Sequence, residues 1–314
     1  MIRSFLFCAV ILLTSLTSCT RHVSNDNLLI AVSIPPQAWF VSQIAGNKAD
    51  ALILVPAGQN PHNYEPTPRQ IQALSKASAW ILSGTEFEIS LRPKIEALFP
   101  KLMIVDGTSG VEFRYLTEHE HHDCDDHDHA HTKILTQTNA NTNTNTHASH
   151  SLLEIDRHTW LGPVPAIMLA KNILNTLCLL DKTNEEYYTV RFTDLNTDIN
   201  KVFDELKNDL AYLEGKSVFV YHPSFGYFLD VFGIIQEAVE TGGKEPTARQ
   251  LHDLMEKINQ EKPAAIFVQA QFPVNAAKTI AASAGAKVIE LDPLAFDWLE
   301  NIKHMGQMLQ NIIQ

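Results

Sequence analysis

The chain has 314 residues, of which 45% are hydrophobic, and it carries a net charge of −12. An acidic chain is a poor partner for nucleic acid and a mildly better one for cations. Its length exceeds that of one typical domain, so we expect two lobes. Its four cysteines are too few and too scattered to indicate a disulfide framework.

The N-terminus has the pattern of a bacterial lipoprotein signal. A basic residue precedes an apolar run over 5–16, which is shorter than the roughly 20 residues of a membrane-spanning helix and fits a signal-peptide core. The following Leu16-Thr17-Ser18-Cys19 resembles a lipobox, in which Cys19 is lipidated. We expect a signal peptide over 1–18 and a lipidated tether over 19–27, which places the protein outside the cytoplasmic membrane, in the periplasm or at the cell surface. An ordinary signal peptide with a chance cysteine is the alternative.

Short apolar runs alternate with helical patterns through the rest of the chain. Four such runs precede a long helical segment and four follow it, which predicts an α/β fold of two lobes with mainly parallel four-stranded sheets. We expect the N-terminal lobe over 28–182 and the C-terminal lobe over 215–314. The predicted strands are 28–34, 49–55, 78–83, 101–106, 217–221, 233–239, 264–269 and 287–292.

One insertion interrupts the N-terminal lobe over 117–150. Its first part mixes histidines with acidic residues, and its second part, "TQTNANTNTNTHASH", has almost no apolar residues. Such a segment cannot offset its own ordering entropy, so we expect it to be disordered. Its density of imidazoles suits weak, reversible capture of metal ions, and a solvated loop without a role is the alternative. The histidines are His119, His121, His122, His127, His129 and His131.

The segment 183–214 contains no glycine or proline and predicts one long helix between the lobes. A helix of that length would span roughly 45 Å at about 1.5 Å per residue. We expect a rigid connector, with a coiled-coil partner as the alternative. Its apolar stripe, with a spacing of three or four throughout, is Phe192, Leu195, Ile199, Phe203, Leu206, Leu210 and Leu213.

Four residues outside the insertion are candidate metal ligands. His62 and His222 come after predicted strands and Asp292 ends another, and ligands of open α/β sheets bind outside the carboxyl ends of strands. His158 has no clear strand before it. Three imidazoles and a carboxylate make a tetrahedral zinc set. Taken singly, a loop histidine is more often a surface or capping residue, and an Asp-Pro pair is usually a turn.

The sequence segments around these residues resemble the metal-binding segments of a known family. "PHNYEPTP", "DRHTWLGP", "HPSFGYFLDVFGI" and "LDPLAFDW" occur here in the order found in the substrate-binding proteins of zinc and manganese ABC importers, the ZnuA-like and TroA-like group called cluster A-I. The resemblance covers the whole mature chain. It implies two lobes joined by one long helix, with the metal site in the cleft between the lobes.

The resemblance also implies that His62, His158, His222 and Asp292 are the metal ligands. Manganese-type members commonly have glutamate where this chain has His222. Nitrogen-rich sites suit zinc, whereas manganese favours more oxygen. We therefore expect Zn²⁺, with manganese or iron as the alternative. Zinc-type members often carry a His-rich loop between the first two histidine ligands, as this chain does.

We expect a high-affinity zinc-binding protein that delivers Zn²⁺ to an ABC permease, a monomer that is anchored to the membrane through Cys19 and has no nucleic-acid partner. A zinc enzyme is the alternative from another class, because three imidazoles and a water also form catalytic sites. The sequence contains no HExxH motif and no evident general base beside a ligand, so we expect binding without catalysis. A surface adhesin is the third alternative, since displayed family members bear that label.

Overall fold

The computed structural model describes residues 27–116, 154–239, 248–261, 263, 265–272, 278, 281–282 and 285–313. The signal peptide, Cys19 and the six histidines of the insertion lie outside these ranges. The expectations for lipidation and for the insertion therefore stay predictions.

The N-terminal half contains a parallel four-stranded sheet of order β2-β1-β3-β4. The strands lie within the predicted runs, and β3 is buried along its whole length, as expected of a parallel sheet whose crossover helices cover its faces. The elements are β1 (Leu28–Val32), α1 (Pro35–Ala45), β2 (Ala49–Ile53), α2 (Pro68–Leu74), β3 (Ala79–Leu82), α3 (Glu86–Leu98) and β4 (Met103–Asp106).

The C-terminal half repeats the arrangement with a parallel sheet of order β6-β5-β7-β8. In both sheets the second strand is added on one side of the first, and the later strands are added on the other side. The switch point therefore lies between β1 and β3 in one sheet and between β5 and β7 in the other. Ligands bind at such switch points, outside the carboxyl ends of the strands. The elements are β5 (Ser217–Val220), α6 (Gly226–Leu229), β6 (Ile235–Ala238), α7 (Ala248–Glu261), β7 (Ala265–Gln269), β8 (Lys287–Leu291) and α8 (Trp298–Ile313).

A long helix, α5 (Glu185–Asp209), follows α4 (Pro163–Leu180) and connects the two sheets. The α-helix is shorter than the predicted 183–214, because 3₁₀ turns form its two ends. Its stripe of Leu195, Ile199 and Phe203 is buried where it packs on α1, α4 and α8. The two-lobe α/β fold with one long connecting helix is therefore confirmed, and this helix is part of the core.

Two tryptophans join elements from both halves. The Trp298 ring on α8 is fully buried, with its centroid 5.0 Å from that of Phe40 on α1 and 6.4 Å from that of Phe203 on α5. Its Nε1–H donates to the carbonyl of Trp160 at 2.7 Å. The Trp160 Nε1–H in turn donates to the carbonyl of Pro293, just after β8, at 2.8 Å. The segment that carries His158 is thereby tied to the C-terminal half.

We expect Trp298→Phe to lower the free energy of unfolding by about 1–3 kcal/mol, because it leaves the buried Trp160 carbonyl without its donor. Urea unfolding followed by circular dichroism measures this loss. Trp39→Phe is the matched control, since it trims another indole of the same aromatic cluster and leaves the Trp298–Trp160 hydrogen bond in place. An equal loss in both variants would show that ring volume, and not this hydrogen bond, is responsible.

Candidate metal centre

Three of the four predicted ligands meet between the two halves. His62 lies in the loop between β2 and α2, His158 directly precedes a 3₁₀ turn, and His222 comes two residues after β5. One ring nitrogen from each lies within 4.8 Å of the other two. The ring centroids are 4.6 to 5.4 Å apart. We call these three side chains the triad.

The spacing within the triad matches a shared metal ion. The Nε2 atoms of His158 and His222 are 3.3 Å apart. Two nitrogens at about 2.0–2.1 Å from a tetrahedral Zn²⁺ are separated by about 3.3–3.4 Å, as the bond length and the tetrahedral angle require. An ion bridging these two atoms would therefore need little movement of either ring.

His222 is held as a neutral imidazole. Burial, followed by the proximity of His158 and His62, places the pKa of His222 well below its usual range. Its backbone N–H donates to Gln269 Oε1 at 3.2 Å, and its carbonyl accepts from Gln269 Nε2 at 2.6 Å. The Phe272 ring stacks on the imidazole at 4.6 Å. This ring is thus fixed in position and in the unprotonated form that binds metal.

A carboxylate stands behind each of the other two imidazoles. His62 Nδ1 lies 2.9 Å from Glu86 Oε2, and His158 Nδ1 lies 2.9 Å from Asp156 Oδ1. A proton on Nδ1 leaves the Nε2 lone pair free for a metal, and such a partner also fixes the ring's orientation. Asp156 both orients the ring and accepts from the backbone N–H of His158 at 3.0 Å.

Sequence reasoning missed Glu86. Burial alone would raise its pKa, but the hydrogen bond from His62 and the electrostatic attraction between the two groups lower it below its usual value. Glu86 begins α3, four residues after the end of β3. An acidic residue just beyond the carboxyl end of a central strand was the signal that could have identified it.

Arg114 links Asp156 to the C-terminal half. Its guanidinium donates to Asp156 at 3.2 Å and to Asp230 at 2.7 Å, and its backbone N–H donates to the Tyr227 hydroxyl oxygen at 2.7 Å. A Cβ on Gly226 would lie 2.4 Å from the guanidinium carbon, so glycine at this position permits the close packing. The orientation of His158 therefore depends on contacts from both halves.

The structure does not bring Asp292 into the triad. Its Oδ1 accepts from the backbone N–H of Leu294 at 2.9 Å and from Gln271 Nε2 at 2.7 Å. This local turn holds the carboxylate outside the group of convergent ligand atoms. That Asp292 is a direct ligand therefore stays a prediction.

Two cavities adjoin the triad. The smaller has a volume of about 10 Å³ and is also lined by Trp160, Gln271 and Phe272. The larger, about 160 Å³, is also lined by Leu116 and Glu154, which flank the insertion. The Leu116 N–H donates to the Glu154 carbonyl at 2.8 Å, so the insertion begins and ends beside a cavity that reaches the triad.

Two parallel sheets joined by a long helix, with three convergent imidazoles between them, define a metal-binding substrate-binding protein of an ABC transporter. The model of the ZnuA family, "Zinc-uptake complex component A periplasmic", matches residues 30–313. The chain belongs to this family, and its place of action is extracytoplasmic. The resemblance found in the sequence is confirmed.

Relatives within the class differ in the metal they are named for. The chain is 25% identical over 315 residues to the manganese ABC transporter substrate-binding lipoprotein PsaA of Streptococcus mitis, covering 98% of this chain and 94% of that protein. It is 26% identical over 284 residues to the high-affinity zinc uptake system protein ZnuA of Bacillus subtilis (strain 168), covering 89% and 82%. A crystal structure of ZnuA is 30% identical, with a TM-score of 0.78, covering 92% of this chain and all of that one.

Replacing Asp156 by Asn should weaken metal binding by about 10- to 100-fold, because an amide no longer holds the Nδ1 proton of His158 as a carboxylate does. Competition with a chromophoric chelator measures the dissociation constant. Glu96→Gln, an exposed carboxylate paired with Arg92, is the control and should leave the constant unchanged. Unaltered affinity in a folded Asp156→Asn variant would contradict the orienting role.

The lowered pKa of His222 has a consequence for the metal-free protein. Below about pH 6.5 the unfolded state takes up a proton that native His222 refuses, so the free energy of unfolding falls as the pH falls, by up to about 1.4 kcal/mol per pH unit for this group. Urea unfolding with a chelator present, at several pH values between about 7.5 and 5.5, measures this slope. His222→Gln should make the slope shallower, and an unchanged slope would refute the assignment.

Proposed function

We propose that this protein captures Zn²⁺ outside the cytoplasmic membrane and delivers it to an ABC permease. The observation that carries the proposal is the convergence of three imidazoles between the two halves, with a 3.3 Å separation of the His158 and His222 Nε2 atoms. His158 and His222 are 7% and 4% exposed, so a bound ion would exchange most of its hydration shell for fixed ligands.

The ligand chemistry favours zinc over manganese. All three convergent ligand atoms are nitrogens, and imidazole suits zinc, whereas manganese favours carboxylate and water. The zinc-uptake family and the ZnuA of Bacillus subtilis agree with this choice. The manganese relative PsaA makes Mn²⁺ the second candidate.

Binding, and not catalysis, is the chemistry that the site supports. A catalytic zinc keeps an open position that a substrate can reach. Ligand pockets for organic molecules commonly have volumes of about 300–1,000 Å³, and the two cavities that adjoin the triad in the described part of the chain have about 10 and 160 Å³. These volumes suit an ion and a few waters.

Release of the ion would follow from small movements. The helix α5 packs on α1, α4 and α8, and Arg114 bridges the halves through Asp156 and Asp230. Wide opening would break this shared core, so we propose that docking of both lobes on the permease shifts loops at the site. The protein would act as a monomer, anchored through a lipid on Cys19.

The insertion would serve as an accessory to the triad. Its histidines His119, His121, His122, His127, His129 and His131 suit weak capture of zinc. Leu116 and Glu154, at its two ends, line the cavity of about 160 Å³ that leads to the triad. We propose that zinc gathered by the insertion enters the site through this cavity.

His222→Glu tests the choice of metal. Exchange of a nitrogen for a carboxylate should lower zinc affinity and favour manganese, so that the ratio of the manganese to the zinc dissociation constant falls about 10-fold or more. Chelator competition with each metal measures the two constants, and elemental analysis of the protein purified without chelator identifies the ion it carries.

His252→Glu is the matched control, because His252 is exposed on α7 and its side chain lies 3.8 Å from that of Glu256. It should leave both dissociation constants unchanged. If the parent protein binds no zinc tightly, or if His222→Glu leaves the metal preference as it was, the proposed zinc site is wrong.

A further inference from the structure

Positive charge collects at one edge of the N-terminal sheet, in a chain whose net charge is −12. All four strands of this sheet are parallel, so the residues just before them lie together at its amino-terminal edge. These residues are 27, 46–48, 75–78 and 99–102, and they include three lysines and no aspartate or glutamate. We call the three the edge lysines: Lys48 before β2, Lys76 before β3 and Lys101 before β4.

The edge lysines are exposed, and none of them forms an ion pair with a residue that the structure describes. Lys48 Nζ lies 5.9 Å from the centroid of the Tyr187 ring. The acidic residue of the neighbouring strand, Asp50, accepts from Asn27 Nδ2 at 3.3 Å. The edge lysines can therefore bind anionic groups from outside the chain.

The start of α5 lies beside β2 at the same edge, since Arg191 Nε donates to the carbonyl of Gln43 near the end of α1 at 2.6 Å. Its charges have both signs and nearly balance, with Lys182 and Arg191 against Asp181, Glu185 and Glu186. The excess of positive charge at this edge is therefore concentrated in front of the strands, at the side of β3 and β4.

Apolar surface adjoins Lys76 and Lys101. A depression of about 380 Å³ lies between the connections that precede β3 and β4, and its apolar lining includes Ala77, Phe99 and Leu102. Leu98, the last residue of α3, is 59% exposed. Cations beside exposed apolar side chains fit the boundary between the headgroups and the acyl chains of a bilayer.

The chain leads from this edge to the predicted lipid anchor. Asn27 stands directly before β1, which lies between β2 and β3 in the sheet. Because an extended chain spans at most about 3.6 Å per residue, Asn27 can lie no further than about 29 Å from a lipid on Cys19. An anchor at Cys19 would therefore keep the edge lysines near the membrane surface.

We propose that the edge lysines and Leu98 form a docking surface for the headgroups of anionic phospholipids, in the membrane that holds the lipid anchor. A short tether raises the local concentration to about the millimolar range, so weak contacts suffice. Each lysine close to an anionic surface contributes about a 5-fold gain in binding. The proposal depends on the expected lipid on Cys19 and not on the choice of metal.

Docking on this surface leaves the metal site free. The triad lies beyond the carboxyl ends of the strands, whereas the edge lysines precede their amino ends. Five residues of strand at about 3.3 Å each separate the two by about 16 Å. Contact with the membrane would therefore orient the protein without covering the site, and it would leave zinc affinity unchanged.

Vesicle binding of the chain 20–314, which lacks the lipid, tests the role of charge. The described fold begins at residue 27, so this chain retains it. In about 0.1 M salt the Debye length is about 10 Å, so charges elsewhere on the chain are screened. We expect binding to vesicles of phosphatidylcholine with phosphatidylglycerol to be about 10-fold or more tighter than to phosphatidylcholine alone.

Changing the three edge lysines together to glutamate should abolish this preference and leave the zinc dissociation constant within about 3-fold of the parent. The matched control changes three exposed lysines of α4 and α5 to glutamate, which alters the net charge equally: Lys171, Lys201 and Lys207. It should keep the preference. A parent without the preference, or an equal loss in both variants, would overturn the proposal.

Soluble glycerol phosphate separates a membrane surface from a site for free phosphate. At the concentration of the lipid headgroups it should not displace the chain from the vesicles, because it lacks the array of charges and the apolar boundary that a bilayer presents. Displacement would show that the edge lysines bind single phosphate groups and would overturn the assignment to the membrane.

The lipidated protein in vesicles gives a readout at single residues. We expect acetylation of Lys76 and Lys101 by an amine reagent to be about 3-fold or more slower on vesicles with phosphatidylglycerol than on phosphatidylcholine alone, and that of Lys201 and Lys207 to be unchanged. Mass spectrometry of the digested protein measures these rates. Equal rates at all four lysines would refute the docking surface, whereas a failure to bind zinc would count against the proposed function alone.

Discussion

The metal site depends on the hydrogen-bonded pair of Trp160 and Trp298. The three imidazoles come from segments far apart in the chain, and no secondary-structure element holds two of them. Trp298 anchors the carbonyl of Trp160, and Trp160 anchors the turn after β8. Because both indoles are almost completely buried, these bonds are shielded from water, and the segment carrying His158 cannot shift without disturbing the core that both halves share.

Charge is distributed in layers around the site. At the centre of the site, burial keeps His222 neutral. The next layer is anionic, because Glu86 and Asp156 hold the Nδ1 atoms of His62 and His158. Beyond it, Arg114 and Arg157 contact these carboxylates. A divalent cation in the triad would thus contact ring nitrogens directly, whereas the negative charges of Glu86 and Asp156 lie behind those rings. This arrangement suits reversible capture of the ion.

Contacts around the site also limit how far the two halves can move relative to each other. Arg114 joins Asp156 behind one ligand to Asp230 in the opposite half, and the long helix packs along its length on α1, α4 and α8. A change at the surface between the halves therefore reaches His158 through a carboxylate and a guanidinium. This gives a docking partner a physical route to the ion that needs only small displacements.

The sequence by itself determined the eight strands of the described ranges, the connecting helix and the loops that carry the three histidines of the triad. Hydrophobic runs, the lack of glycine and proline in α5, and the position of His222 just after β5 are local signals, and local signals specify secondary structure. The likeness of four short segments to a known family then indicated which histidines belong together. The shortening of the helix to Glu185–Asp209 was not evident at its C-terminal end, because the 3₁₀ turn there continues the same apolar stripe with the buried Leu213.

Only the tertiary structure decided how the site is built. The pairing of Glu86 with His62 joins residues 24 positions apart, and the bond from Trp160 to Pro293 joins residues 133 positions apart. Asp292 follows a strand as a ligand should, yet its carboxylate is engaged by Gln271 and Leu294. Which way a side chain at a strand end points depends on hydrogen bonds to other segments, and periodicity along the chain does not contain that information.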